Sequence, residues 1–428
     1  MSVPRLVLCG LEPGPSVPLA AGALLASFAD RRATRPVSIG LDLPLWRLLY
    51  ETADRAPRVL DPALYHEDVA GELYDVWSES CELLVLVATE PALDRWQAVK
   101  GSRPVDIAAA YDAPLVLVVD ARDRGPTAAA AVCGVKALAR RVELAGVIVV
   151  GGDERGAAAD LGRIITAQAG LPILGWIPPQ LSEQFARQYG AGLSGVRQIG
   201  PRPAKGGELR LCAEAATYLH RDEIEAAATR RGYLPGKPRK LLTPSPAAAG
   251  LRLAVAWGPP LEPMGLETID VFQAMGLDLA PLNIARDHEL PPEVSGLLVM
   301  GQLDEEQLPA LTANRQLLEA LAEAAGDGLP TLALGGGALL LLRRLADSRG
   351  RSHELAGVLP AEAELLEWYD RPRYVRAQAS KANPFDEGDT VLCELFDLEF
   401  LFLEQDTFAY HAGAPGAAGQ AEGFAIGR

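Results

Sequence analysis

The sequence predicts an α/β protein made of two doubly wound domains in tandem. Three observations carry this. Short, uninterrupted apolar runs alternate with helical stretches through the first half, a proline-rich break follows, and the same alternation restarts beyond it. A strand buried on both faces shows no polar alternation, so continuous apolar runs separated by helices point to parallel sheets covered on both sides. The expected boundaries are residues 1–233 for the first domain, 234–250 for a linker and 251–428 for the second. A chain of 428 residues is also too long for one typical core.

In the first half, Arg5–Gly10 reads as a strand, Leu19–Arg32 has helical spacing, and Leu83–Ala88 and Pro114–Asp120 are continuous apolar runs. Ala128–Arg141 is helical, Leu144–Val150 a strand, Ala157–Ala169 helical and Pro172–Ile177 a strand, with one or two helices over Glu208–Arg230. The segment Leu234–Gly250 holds four prolines, which disfavour helix and strand alike, and its basic and small residues suit a solvated linker. In the second half, Leu251–Trp257, Leu277–Pro281, Gly296–Met300 and Thr331–Leu334 read as strands, with helices over Glu267–Met275 and Asn314–Ala325. Val391–Phe402 and Thr407–Ala409 are expected as terminal strands. No repeat of 20–50 residues is visible.

The bulk numbers exclude some functions. A formal charge of −16 offers no field to attract phosphate, so neither nucleic acid nor an anionic membrane is expected as a partner. Cys9, Cys81, Cys133, Cys212 and Cys393 show no CxxC spacing, which fits a reducing compartment and gives no metal site. The first ten residues read as a strand rather than a signal peptide, and the longest apolar runs are too short to span a bilayer, so a cytoplasmic location is expected.

Two segments have the build of sites without their reactive groups. Gly10-Leu-Glu-Pro-Gly-Pro-Ser-Val-Pro-Leu19 lies between a strand and a helix, where a phosphate loop would sit, but has no Lys and no usable Ser/Thr pair. Thr331-Leu-Ala-Leu-Gly-Gly-Gly-Ala-Leu-Leu-Leu341 reads as a buried strand, a glycine elbow and a helix, with Gly335 at the elbow, where a side chain would have to act. Asp120 and Arg122 end a strand at the crevice where open α/β sheets bind ligands.

The order of these elements, with a set of short motifs, resembles the cobyrinic acid a,c-diamide synthase family. The matching pieces are Gly40-Leu-Asp42, Leu60-Asp61-Pro62, Pro114-Leu-Val-Leu-Val-Val-Asp-Ala-Arg122, Ala145-Gly-Val-Ile148 and Leu171-Pro-Ile-Leu-Gly-Trp-Ile-Pro178. In the second half they are Arg252-Leu-Ala-Val-Ala256, Asn314, Gly336-Gly337 and Ala356-Gly-Val-Leu-Pro360. The resemblance implies an N-terminal P-loop-NTPase-like domain related to dethiobiotin synthetase and a C-terminal class I glutamine-amidotransferase-like domain. It implies ATP-Mg as activator and ammonia from glutamine, used to amidate carboxylates of a corrin precursor.

The departures from the family are concentrated at its sites. The Gly-Lys-Thr that ends the family's phosphate loop reads Ser16, Val17 and Pro18. A Lys position is Ser38, an acidic position is Val87 (Glu90 is reached only by a shift), and an Asn position is Val149 or Val150. The nucleophilic Cys aligns with Gly335, a Gly-Gly-Gly-Tyr-Pro-Glu motif becomes Val299–Glu305, and His-Glu-Phe-His becomes Cys393-Glu-Leu-Phe396. The chain ends at Arg428, before the family's histidine-containing end.

Vestigial nucleotide contacts are therefore expected at Gly10, Gly14, Ser16, Asp42 and Asp120, ligand contacts at Trp257, Gly301, Gly336 and Gly337, and no catalytic or metal-binding residue. Trp257 could stack on a flat macrocycle or pack at a domain interface. Several other groups have plain readings. Cys393 with His411 reads as a strand cysteine and a loop histidine, Glu362, Glu364 and Glu367 as a solvated acidic face, Asp304-Glu-Glu306 as a helix start, and His288 as a surface residue. The expected function is that of a non-catalytic homologue that binds a tetrapyrrole-like ligand or a protein partner, with no cofactor and with homodimerisation as the default. The alternatives are an active ATP-Mg-dependent amidoligase and a structural subunit of a larger assembly.

Overall fold

The apolar runs of the first half pair side by side in the computed structural model, which describes residues 3–94, 101–191, 207–231, 239–303, 305–381, 388–402, 408–412 and 420–424 except 54, 63, 123, 157, 259, 260, 263 and 264. The chain divides into two units at Leu241 and Leu242.

In the first unit the order is β1 (Arg5–Gly10), α1 (Ser16–Phe28), β2 (Thr34–Ile39), α2 (Leu43–Ala53), β3 (Arg58–Leu60), α3 (Glu67–Glu79) and β4 (Leu83–Pro91). Then come α4 (Pro104–Ala110), β5 (Leu115–Asp120), α5 (Pro126–Leu138), β6 (Leu144–Val150), α6 (Ala159–Ile164, prolonged by a π turn), β7 (Ile173–Ile177), α7 (Pro179–Ala191), α8 (Gly207–Ala216) and α9 (Arg221–Thr229). The strands form one sheet in the order β3-β2-β4-β1-β5-β6-β7, and every pairing is parallel. Side chains alternate faces along a strand. Leu6, Leu8, Val85, Val87, Val116, Val118, Ile148 and Val150 share a core with α1, α2, α7, α8 and α9. Their neighbours Val7, Cys9, Leu84, Leu86, Leu117 and Val149 are equally buried, and α3, α4 and α5 bury apolar residues that take no part in that core. The sheet is thus covered on both faces, as the unbroken apolar runs require.

The described part of the expected linker is not freely solvated. The Glu72 carboxylate, buried on α3, accepts hydrogen bonds from the amides of Lys240 (2.8 Å) and Leu241 (3.0 Å). Further on, the Ser245 amide bonds to Met275 O at 2.8 Å, and Leu242 and Ala248 are buried. Backbone donors that leave water need such partners, so this stretch is anchored at both ends. Residues 234–238 of the expected linker lie outside the described residues.

The second unit runs β8 (Arg252–Trp257), β9 (Leu261–Glu262), α10 (Leu266–Met275), β10 (Asp278–Asn283), β11 (Gly296–Leu303), α11 (Leu308–Ala313), α12 (Arg315–Gly326), β12 (Thr331–Gly335) and α13 (Gly336–Leu339). Its first sheet has β10, β8, β11 and β12 in parallel, with β9 antiparallel on β11. Ala254, Ala256, Leu297 and Val299 pack with α11 and α12, while Val255, Leu298 and Met300 pack with Ile269 and Phe272 of α10. This sheet too is wound on both faces.

The rest departs from a simple doubly wound pattern. The expected helix after the elbow is one turn, α13, because glycine disfavours helix and the leucines that follow turn into β13 (Leu342–Ala346). A second sheet then joins β13, β14 (Ser352–Glu354), β15 (Leu359–Ala379), β16 (Asp389–Phe402), β17 (Phe408–Ala412) and β18 (Gln420–Phe424). Its pairings are antiparallel apart from β13 with β15. In β15, Ala361, Ala363 and Leu365 are buried whereas Glu364 is exposed and Glu362 pairs with Arg344. Glu362 and Glu364 are thus the outer half of a strand alternation, and the Glu367 side chain lies outside the described residues.

The β13–β14 turn is built on a buried carboxylate. Asp347 is fully buried and accepts hydrogen bonds from the amides of Arg349 (3.0 Å) and Arg351 (2.8 Å), from Arg351 Nε (2.6 Å) and from His353 Nε2 (3.1 Å). Burial alone would raise its pKa, but these bonds outweigh it and pull the carboxyl from the ordinary 3.8 to about 2. A carboxyl whose folded pKa is lowered adds stability above its unfolded pKa and loses it as pH falls through the folded one. Urea midpoints of the wild type should therefore fall between pH 3.8 and about 2 more steeply than those of Asp347→Asn; equal slopes would contradict this role.

Glu305, expected at an exposed helix start, is buried and accepts hydrogen bonds from Ser348 N (2.9 Å) and Oγ (2.8 Å). Asp304 and the side chain of Glu306 lie outside the described residues. His288 is exposed, as expected, with Nδ1 2.8 Å from Asn314 Oδ1. The Asn314 amide group in turn donates to the carbonyls of Ile284 and Asp287.

Candidate functional site

Open parallel sheets bind ligands beyond the carboxyl ends of their strands. In the first unit β1 ends at Gly10 and the chain turns through 11–15 into α1. A Cβ on Gly10 would lie 2.8 Å from Glu12 O and 2.9 Å from Val17 Cγ2, so the turn closes tightly on this residue. Pro15 caps α1, Pro18 has no N–H, and the Leu19 amide is bonded to Pro15 O at 3.1 Å. The first turn offers at most the amides of Ser16 and Val17 to an anion.

A cleft of about 380 Å³ opens here, lined by residues 12–17 with Val118, Asp120, Arg122 and Arg124. Ser16 Oγ donates to Asp120 Oδ2 at 2.8 Å. Asp120 Oδ1 accepts from the Arg122 amide at 2.9 Å and from Arg122 Nε at 3.0 Å, and Arg122 Nη2 bonds to Oδ2. Arg124 pairs with Glu12. The Arg122 stem lies over Gly151, whose Cβ, if it had one, would be 2.5 Å from Arg122 Cγ. Burial alone would raise the Asp120 pKa, but the bonds from Arg122 and Ser16 hold the carboxyl below its ordinary value.

Gly14, Ser16 and Asp120 thus line one cleft, with Gly10 beneath it, while Asp42 is elsewhere. Its Oδ1 accepts from Leu45 N at 2.9 Å, which makes it the cap of α2. Glu12 and Arg124 are additions that sequence reasoning missed; a charged residue on each side of the loop was the available signal. The cleft presents two carboxylates and two arginines already paired to them. With no lysine and Val17 and Pro18 in the helix start, this donor set does not fit the triphosphate of ATP-Mg. At the other positions that the resemblance marks as departures, Ser38 is buried and donates to Gly40 O at 2.7 Å, and Val87, Val149 and Val150 are core residues.

In the second unit the elbow is present in the backbone. Gly335 ends β12 at φ 58° and ψ −131° and caps α13. Such sharp strand-to-helix turns hold nucleophiles out of the strand in α/β-hydrolases. Among the described residues a Cβ at Gly335 would meet Gly301 O at 3.2 Å, a tight contact that asks that carbonyl to give slightly, and the residue is exposed. Gly336 and Gly337 are buried against β11: Cβ atoms there would lie 2.3 Å from Leu303 N and 2.2 Å from Val299 O. Gly301 pairs with Gly335 across β11 and β12.

One residue earlier in the β11–β12 register Met300 pairs with Leu334, and Trp257 ends β8 opposite Asn283. Trp257 is 48 % and Leu334 41 % exposed, whereas Met300 is covered at Gly265. The ring of Trp257 is therefore available for contact at the carboxyl end of a central strand. Among the described side chains none of the histidines is brought to the elbow as a base, since His353 is bonded to Asp347 and His288 to Asn314. Cys393 lies opposite Tyr374, and His411 opposite Gln378. The side chains of both lie outside the described residues. Within the described residues no cluster of His, Cys, Asp and Glu is placed to hold a metal, and no helix is long and apolar enough to cross a membrane.

The exposure of the elbow gives a direct expectation. Gly335→Cys should fold, at a cost of about 1–3 kcal/mol for a side chain in this sparsely populated backbone region, and its thiol should be alkylated by iodoacetamide in the native protein. Cys9 and Cys212, buried with their thiols shifted up, should stay unmodified. Peptide mass mapping decides it; protection at position 335 would mean the elbow is not open.

No family model matches the chain. Curated relatives do. The chain is 25 % identical over 440 aligned residues to the cobyrinate a,c-diamide synthase of Dehalococcoides mccartyi strain CBDB1, covering 100 % of this chain and 93 % of that one. It is 27 % identical over 402 residues to the hydrogenobyrinate a,c-diamide synthase of Streptomyces coelicolor, covering 85 % and 80 %. Likeness to solved structures is slight and decides nothing: the MinD cell division protein of Aquifex aeolicus matches 49 % of this chain and 95 % of that one at TM-score 0.29 and 14 % identity.

Proposed function

The chain is a full-length relative of the cobyrinate and hydrogenobyrinate a,c-diamide synthases, and we propose that it is one that acts by binding rather than by catalysis. The observation that carries this reading is the elbow of β12 and α13, which has a sharp, exposed backbone turn but presents only a hydrogen at Gly335. A glycine cannot attack an amide, and a thiol would further need a neighbouring base. The first-unit cleft supports the same reading, because its cations are paired internally and Val17 stands where phosphate needs a charge.

On this reading the protein is cytoplasmic, takes no cofactor, and binds a tetrapyrrole-like ligand or a protein partner, with homodimerisation as the default. Exposed Trp257 supports a flat ligand, since an indole face stacks on planar rings. An active amidoligase fed by free ammonia would still need ATP, so nucleotide use separates the two readings. ADP release should be absent with ATP-Mg, ammonia and cobyrinate together, and glutamine hydrolysis should be absent as well. ADP release that depends on cobyrinate would sink the proposal.

A further inference from the structure

We propose that Trp257 and Asn283 form a small binding site at the carboxyl ends of β8 and β10, one that takes a planar ring carrying a carbonyl oxygen at its edge. This rests on the reading that exposed Trp257 meets a flat ligand, and adds the hydrogen bond that such a ligand accepts.

The two residues are register partners, which sets their Cα atoms about 5 Å apart across the parallel pair. Each ends its strand, on the side of the sheet where open α/β proteins bind ligands. Alternation along the strands brings both side chains out on the side of Val255 and Leu279, which share a core with Ile269 and Phe272 of α10. Val255 is buried in that core, whereas Trp257 beyond it is exposed. The indole thus offers a stacking face where the core opens to water.

Asn283 is half-buried and held in one orientation. Its Oδ1 accepts from the Ala285 amide at 3.0 Å, and its backbone N–H donates to Asp287 Oδ2 at 2.7 Å. The first bond decides which end of the side-chain amide is the oxygen. Nδ2 is then a donor with no acceptor among the described residues. Position 258 leaves it uncovered. A Cβ there would lie 3.0 Å from Asn283 Oδ1 and 3.5 Å from Nδ2, but the residue is glycine, at φ 89°. A fixed N–H donor beside a stacking face fits an oxygen lying in the plane of the stacked ring. That oxygen is a neutral carbonyl rather than a carboxylate, because the Asp287 carboxylate is bonded to the same residue and would repel a second negative charge.

Two probes of one shape and charge test this: anthraquinone-2-sulfonate, which has ring carbonyls, and anthracene-2-sulfonate, which has none. Equilibrium dialysis would measure their binding to the full chain and to its Asn283→Asp and Trp257→Ala variants. Asn283→Asp keeps an oxygen for the Ala285 amide and removes the donor. The wild type should bind the quinone about fivefold tighter than the anthracene, the gain of one neutral hydrogen bond. Asn283→Asp should erase that difference, and Trp257→Ala should weaken both probes. The wild-type comparison carries the test even if a variant does not fold. Equal binding of the two probes, weakened by Trp257→Ala, overturns the hydrogen bond and leaves the stacking reading of Trp257 in place. No binding of either probe, or binding that Trp257→Ala leaves unchanged, overturns both.

Discussion

Gly337→Ala is expected to unfold the second unit far below the wild-type midpoint while leaving the transition of the first unit in place. The added Cβ would lie 2.2 Å from Val299 O, 2.5 Å from Val299 C and 2.8 Å from Met300 N. All three are backbone atoms of β11, a strand paired on one side with β8 and on the other with β12. No rotamer change can relieve the contact, so α13 must lift from the sheet or β11 must shift, and either loosens the core formed by Leu297, Val299, Leu339 and Leu340. Overpacking of this kind costs on the order of 3 kcal/mol, at the top of the range for a single added methyl. Calorimetry should show one of two transitions displaced. An unchanged thermogram would mean that the elbow is not seated on β11.

Gly22→Ala is expected to be the corresponding weak point of the first unit. Gly22 lies mid-way along α1, and its Cβ would come 2.3 Å from Cys212 Sγ and 3.2 Å from Cys212 Cβ on α8. In an isolated helix this change would stabilise, since alanine is the better helix former by about 1 kcal/mol. Here the clash with a fully buried thiol decides the sign, at about 1–3 kcal/mol of net loss. Because the obstructing atom is a side-chain sulfur, Cys212→Ala in the same chain should restore most of the lost midpoint. If the double variant is no better than Gly22→Ala alone, the two helices do not meet at this pair.

Much of this architecture was legible because buried parallel strands write themselves as unbroken apolar runs. Arg5–Gly10 and Leu144–Val150 begin and end in the structure where the sequence places them, and Leu83–Ala88 extends by three residues to Pro91. The elbow was legible as a place, because strand, glycines and leucines follow one another there. Its one-turn helix was not, since the leucines after Ala338 suit a helix and a strand equally. The long strand β15 was hidden by its glutamates, which read as a charge cluster until Ala361, Ala363 and Leu365 are seen to alternate with them. The cleft was half legible. Ser16 and Asp120 could each be placed at an element end, but their hydrogen bond joins positions 104 residues apart, and no local pattern announces it. The pairing of Glu12 with Arg124 is hidden for the same reason.

The central claim is that the cleft between β1 and α1 does not take a nucleotide, and thermal unfolding of the wild type with and without millimolar ATP-Mg tests it most directly. A ligand at about 100 times its dissociation constant adds roughly 2.7 kcal/mol, which for units of this size raises a midpoint by about 5–10 °C. The account expects no rise in either transition. A rise of several degrees in the first-unit transition would contradict it, and would show that the cleft around Ser16, Asp120 and Arg122 still opens to a triphosphate.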